Sequence, residues 1–130
     1  MELPEFTPGL SARVELTVTD ADTAQSLGSG DVPVLATPRV LALAEAATVA
    51  ATARQTPGGV TTVGTRAEVE HKAPTPVGRR VTAIATLAKV DGSKLLFEVE
   101  VRDGEAVVAE VRVERAVVDR QRFISRALGD

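Results

Sequence analysis

The sequence has no cysteine, no tryptophan and no tyrosine, and its only aromatic side chains are three phenylalanines. The lack of cysteine excludes a disulfide scaffold, a thiolate nucleophile, a zinc–cysteine centre and a thiol redox switch together. So few aromatics leave no platform for stacking bases, and a formal net charge of −3 supplies little basic surface for a phosphate backbone. Nucleic acid is therefore not an expected partner. Lysine is scarce as well, with Lys72, Lys89 and Lys94 the only ones among 15 basic residues. No apolar run approaches the roughly 20 residues of a membrane span. The best candidate, Val40 to Ala53, is interrupted by Glu45. Residues Met1 to Glu5 are acidic and lack the basic and apolar regions of a secretory signal, so a cytoplasmic protein without a membrane partner is expected.

What is present fits one globular domain over residues 1–130, with 44% hydrophobic and 25% charged residues. Residues Ala12 to Val18 alternate apolar and polar, the period of a half-buried strand. Asp20 to Pro33 is rich in Gly, Ser and Asp and reads as a loop or a short irregular helix that could serve as a lid. Thr37-Pro38 is a helix start, a capping hydroxyl followed by proline, and the alanine- and leucine-rich run after it predicts one helix to about Ala53, before Thr56-Pro57-Gly58-Gly59. Nearly its whole circumference is apolar, which suits a helix wrapped by a sheet. From Val60 the period is two, with strands expected near 61–72, 80–90, 94–102 and 105–119. Asp91-Gly92-Ser93 and Asp103-Gly104 are hairpin turns, so the strands are antiparallel. Arg120 to Leu128 predicts a short terminal helix.

Three polar residues break this apolar pattern. On a strict two-residue alternation His71, the only histidine, shares the inner face of its strand with Val63, Thr65, Ala67 and Val69. Arg115 interrupts a valine stripe in the last strand, and Glu45 is the lone carboxylate in the helix between Val40 and Ala47. A buried charge needs a partner, so Glu45 and Arg115 could simply form an internal ion pair. Thr37, Leu41 and Glu45 fall on one helical stripe, with about 12 Å along the axis between the hydroxyl and the carboxylate at ~1.5 Å per residue. The start of the helix also offers free N–H groups to an oxyanion. Each residue has a bland role as cap, core histidine or ion pair. Together they supply a hydroxyl, a carboxylate and a group that titrates near neutrality, which is a usable hydrolytic set.

The segment VLATPRVLALAEAATVAATA from Val34, followed by VGTRAEVEHKAPTPVGRRVTAIATLAKVDGSKLLFEVEVRDG and VERAVVDRQRF, resembles the fluoroacetyl-CoA thioesterase family and its hot-dog-fold relatives over residues 12 to 126. The resemblance implies an α+β hot-dog fold, an antiparallel sheet wrapped around one central helix, in a homodimer. It implies an acyl-CoA substrate and no cofactor or metal. It also implies a catalytic set of Thr37, Glu45 and His71, with Gly64 and Arg115 in the substrate site. The fluoroacetyl-specific member carries lid aromatics, whereas Thr23 to Leu35 here contains none, so the expected substrate is a small or medium acyl-CoA rather than fluoroacetyl-CoA in particular. Two competing functions remain. A hydratase would need an aspartate where Arg66 stands. A non-catalytic acyl-CoA or small-ligand binding module would use Glu45 and Arg115 only as a buried pair. Arg79 and Arg80 are candidate phosphate contacts, or simply a solvated basic pair.

Overall fold

The computed structural model describes residues 1–129. Five strands form one antiparallel sheet, β1 (Ser11–Thr17), β2 (Val60–His71), β3 (Arg80–Asp91), β4 (Lys94–Asp103) and β5 (Ala106–Asp119), in the spatial order β1-β3-β4-β5-β2. Three helices complete it, α1 (Ala24–Leu27), α2 (Thr37–Thr52) and α3 (Arg120–Leu128). This is the α+β layout expected from the sequence, and every strand lies within two residues of its expected bounds. The two hairpins close as the Asp-Gly dipeptides require. Asp91 pairs with Lys94 and Asp103 with Ala106, and Gly92 and Gly104 take the positive φ of 59° and 61° that the tight turns demand.

The core lies between α2 and the concave face of the sheet. Val40, Leu43, Ala44 and Ala47 are at most 2% exposed and face an inward row that includes Ala83, Ala85, Leu87 and Phe97, each fully buried. Alanine at Ala44 and Ala47, opposite Ala83 and Ala85, lets the helix sit close to the sheet, and Phe97 fills volume that small side chains leave. The helix is not enclosed all round, however. Its other flank, with Ala42, Ala46, Val49 and Ala50, is apolar and exposed in the single chain.

One strand departs from simple alternation. The β2–β5 register shifts between Gly64 and Arg66, which leaves Thr65 as an extra residue in a β-bulge. Gly64 pairs with Arg115 and Ala67 with Val113, so both share the inner face, although they differ by three in sequence. Thr65 is therefore not in the inward row that strict alternation assigned to it. It is exposed, and its hydroxyl donates to the Glu114 carbonyl at 3.2 Å. Gly64 stands beside the shift, and a glycine inside a strand often marks a bulge.

The segment before α2 is folded rather than loose. A 3-10 turn at Asp20–Asp22 leads into α1, and Ala36 N–H donates to the Asp22 carbonyl at 2.9 Å. The Asp22 carboxylate accepts from Thr19 N–H at 2.8 Å and from Arg39 Nε at 2.9 Å, which ties the segment to the first turn of the helix. Burial pushes this carboxyl up, but the Thr19 and Arg39 contacts outweigh it and hold it below the ordinary aspartate value.

Candidate active site

The first turn of α2 is built differently from the sequence reading. The N-cap is Ala36, not Thr37, because the Ala36 carbonyl accepts both Arg39 N–H and Val40 N–H, at 3.0 Å each. Thr37 lies one position inside the helix beside Pro38, so its hydroxyl is not used as a cap. It contacts His71 Nδ1 at 2.8 Å instead. The histidine is carried there by the last residue of β2, which pairs with Ala109 on the inner face. Its other ring nitrogen, Nε2, is buried and has no hydrogen-bond partner among the described residues. Burial pushes the imidazole below its ordinary pKa, so the ring is held neutral near pH 7 and can accept a proton. Of the N–H groups at the helix start, Ala36 and Arg39 are occupied and Pro38 has none, which leaves that of Thr37 free among the described residues.

Two turns further along α2, Glu45 belongs to a second cluster. Arg115 Nη1 donates to Glu45 Oε2 at 3.1 Å, and Arg115 is 6% exposed. Its other two nitrogens are also engaged: Nε donates to Thr62 Oγ1 at 3.0 Å and Nη2 to the Thr62 carbonyl at 2.9 Å. Burial pushes the Arg115 pKa down while the Glu45 charge and hydrogen bond pull it back up. An arginine so held remains a cation. Gly64 supplies the room, because a Cβ there would collide with Glu45 Oε2 and lie 3.4 Å from Arg115 Nη1. A side chain at this position would displace the Glu45 carboxylate from where it now lies.

All five sequence-derived site residues thus fall on α2, β2 and β5, but one chain does not bring them into one site. Thr37 meets His71, and Glu45 meets Arg115 beside Gly64. Glu45 makes no contact with His71 among the described residues of one chain, its carboxylate being turned to Arg115. Thr62 was missed. Alternation placed it outward, whereas the bulge puts it on the same face as Gly64, opposite Val117. Gly64 in mid-strand was the signal that could have revealed it. Arg79 pairs with Asp103 at 3.0 Å and Arg80 lies 3.8 Å from Glu15, so both behave as a solvated basic pair. A hollow of about 620 Å³ lies away from these residues, on the outer sheet face among Glu68, Glu70, Glu98, Glu100 and Glu110.

The comparisons with known proteins agree with this architecture. The sequence profile of the fluoroacetyl-CoA-specific thioesterases (FlK) matches residues 18–121. A fluoroacetyl-CoA thioesterase of Streptantibioticus cattleyicolor is 37% identical over 90 residues, which is 69% of this chain and 65% of that protein. The chain therefore aligns with just under two thirds of that relative's length. A crystal structure of a variant fluoroacetyl-CoA thioesterase in complex with acetyl-CoA superposes with a TM-score of 0.90 at 28% identity, covering 95% of this chain and 98% of that one. A hot-dog-like protein from Thermanaerovibrio acidaminovorans gives a TM-score of 0.87 at 26% identity, covering 95% and 92%. The fold is the hot-dog fold, and with four fifths of its length matched by the profile, the chain belongs to the fluoroacetyl-CoA-specific thioesterase family.

Proposed function

We propose that this protein is an acyl-CoA thioesterase that cleaves small or medium acyl-CoA thioesters to the free acid and CoA, and that it works as a homodimer. The observation that carries this reading is the 2.8 Å contact between the Thr37 hydroxyl and a neutral His71 at the start of a helix. It places a nucleophile, or the site of an attacking water, beside an imidazole able to accept a proton. His71 takes the proton as the thioester carbonyl is attacked, the free Thr37 N–H at the helix start is an oxyanion donor, and collapse of the tetrahedral intermediate breaks the C–S bond as His71 returns the proton to the departing CoA sulfur. Glu45, held by Arg115, is the carboxylate of the set.

The two clusters become one site if β2 pairs with the β2 of a second copy. β2 is a twelve-residue edge strand without proline, and the exposed apolar flank of α2 borders it. An open edge of that kind calls for a partner. Antiparallel pairing about a two-fold axis at Glu68, with Thr65 bulged out, sets Ala67 of one chain opposite residue 69 and Gly64 opposite residue 71 of the other. Thr37 and His71 of one protomer then face Glu45 and Arg115 of its partner. The absence of aromatics between Thr23 and Leu35 supports an acyl preference not restricted to fluoroacetyl.

A second reading draws on the Glu45–Arg115 ion pair, which a non-catalytic acyl-CoA or small-ligand binding module would also contain. Thiol release from a panel of acyl-CoAs, run with Thr37→Ala, Glu45→Gln and His71→Ala, separates the two. Turnover by the wild type, reduced about a hundredfold or more in Glu45→Gln and His71→Ala, is the expected result. The rate should also fall as pH drops through the lowered His71 value, since the protonated ring cannot act as base. Saturable binding without turnover on any ester would establish the binding module.

A further inference from the structure

The first turn of α2 lacks the usual means of holding itself. Its cap residue, Ala36, offers no side-chain acceptor, and the turn contains no acidic residue. Alanine is a poor cap, and a helix start without one leaves its N–H groups unsatisfied. Arg39 adds a cation at the end of the helix where the dipole disfavours it. Yet this turn carries Thr37, whose hydroxyl contacts His71 Nδ1 at 2.8 Å and so is not spent on capping.

A residue outside the helix supplies what is missing. Asp22 is buried; its carbonyl accepts Ala36 N–H at 2.9 Å and its carboxylate accepts Arg39 Nε at 2.9 Å. Thr37 lies between those two attachment points. The other carboxylate oxygen accepts Thr19 N–H at 2.8 Å and the Thr19 hydroxyl at 3.0 Å, so the aspartate is itself fixed. Leu35 N–H donates to the Thr75 carbonyl at 2.8 Å, which anchors the stretch before the helix to the chain that follows His71. One such bond fixes a point but not an orientation, and the two Asp22 contacts add the orientation.

We propose that Asp22 and Arg39 are positioning residues for the reaction, whose contact orients the first turn of α2 so that the Thr37 hydroxyl meets His71 and the Thr37 N–H stays open to an oxyanion. The catalytic consequence rests on the thioesterase reading. The geometry is read without turnover, because His71 is the only histidine and gives a single imidazole signal in a proton–carbon NMR spectrum. Burial holds this ring below the ordinary value of 6.5. A Thr37 that swings away admits water to it, so His71 should titrate higher in both D22N and R39Q. Charge alone predicts opposite shifts, since loss of a carboxylate lowers a histidine pKa and loss of a guanidinium raises it. The double variant should move His71 no further than the larger single shift, because each substitution removes the same contact. R102Q, which breaks an ion pair with Glu100 on the outer sheet face, should leave the titration unchanged. In thiol release D22N and R39Q should lower kcat about tenfold or more with little change in KM, and should move the acid limb of the rate profile to higher pH. An unshifted His71 in folded D22N and R39Q, shifts of opposite sign, an equal shift in R102Q, or an unchanged kcat overturns the proposal. Should D22N not fold by circular dichroism, R39Q is titrated in high salt, which screens a bare charge effect and leaves a change of geometry in place. A wild type that releases no thiol from any ester refutes the thioesterase reading instead, and the histidine titration still decides whether Asp22 and Arg39 orient Thr37.

Discussion

At the scale of single residues, the site depends on how Arg115 is held. Its guanidinium is almost wholly buried, and the cost of removing such a charge from water is offset only when its donors are satisfied. Glu45 satisfies one nitrogen, and the hydroxyl and carbonyl of Thr62 satisfy the other two. Thr62→Val keeps the shape and the carbonyl but removes the acceptor of Nε. Arg115 then has a reason to turn toward Glu45 with more than one nitrogen, and the carboxylate shifts. A roughly tenfold fall in kcat for the preferred acyl-CoA, with a small change in KM, is expected, the size of one lost charge-assisted hydrogen bond. Thr62→Ser, which restores the oxygen, should recover most of the rate. Equal kcat for Thr62→Val and wild type would show that Glu45 does not depend on this bond.

At the scale of elements, the tie between the 20–36 segment and α2 rests on one carboxylate. Asp22 joins the Thr19 turn to Arg39 in the first turn of the helix that carries Thr37. Its folded-state pKa lies below the ordinary value of 3.8. The stabilisation is therefore complete above that value and is lost as pH falls through the lowered one. Asp22→Asn should be less stable than wild type at pH 7, and the gap should close as both are acidified below pH 3.8. Urea unfolding at a series of pH values measures this, and a gap independent of pH would assign the loss to packing.

The same elements show what the sequence made legible. The helix, the meander and both hairpins were readable because each is a local pattern, a capping signal, a two-residue period or an Asp-Gly turn. The intruding Glu45, His71 and Arg115 were readable as violations of those patterns, and Thr37 as part of the helix-start signal. The Thr65 bulge was not, since counting by twos carries a one-residue insertion forward as an error of face, and that error hid Thr62 and turned Gly64 outward. The position of the helix cap was also hidden. A threonine before proline has the same spelling whether it caps the helix or sits one residue inside it, and only the Ala36 carbonyl bonds distinguish the two.

At the scale of the whole molecule, the surfaces differ in what they can meet. The outer sheet face is a solvated one. Glu70, Glu110 and Glu100 stand side by side across three strands, an unfavourable row that Lys72 relieves at 3.0 Å from Glu110 and Arg102 at 3.2 Å from Glu100. Burial against another sheet would leave these charges poorly compensated. The opposite is true of the β2 edge and the apolar flank of α2, where open backbone groups and small side chains favour a second copy. In that arrangement each site draws Thr37 and His71 from one chain and Glu45 and Arg115 from the other. His71→Ala and Glu45→Gln, each inactive as a homodimer, should therefore complement one another when mixed and allowed to exchange subunits. Half of the dimers would be mixed and each would carry one intact site of two, so about one quarter of wild-type thiol release is expected by the symmetry of a two-fold pair. A site contained within one chain gives a different result, because each protomer of the mixed dimer would lack one member of the set and no activity would return at any mixing ratio.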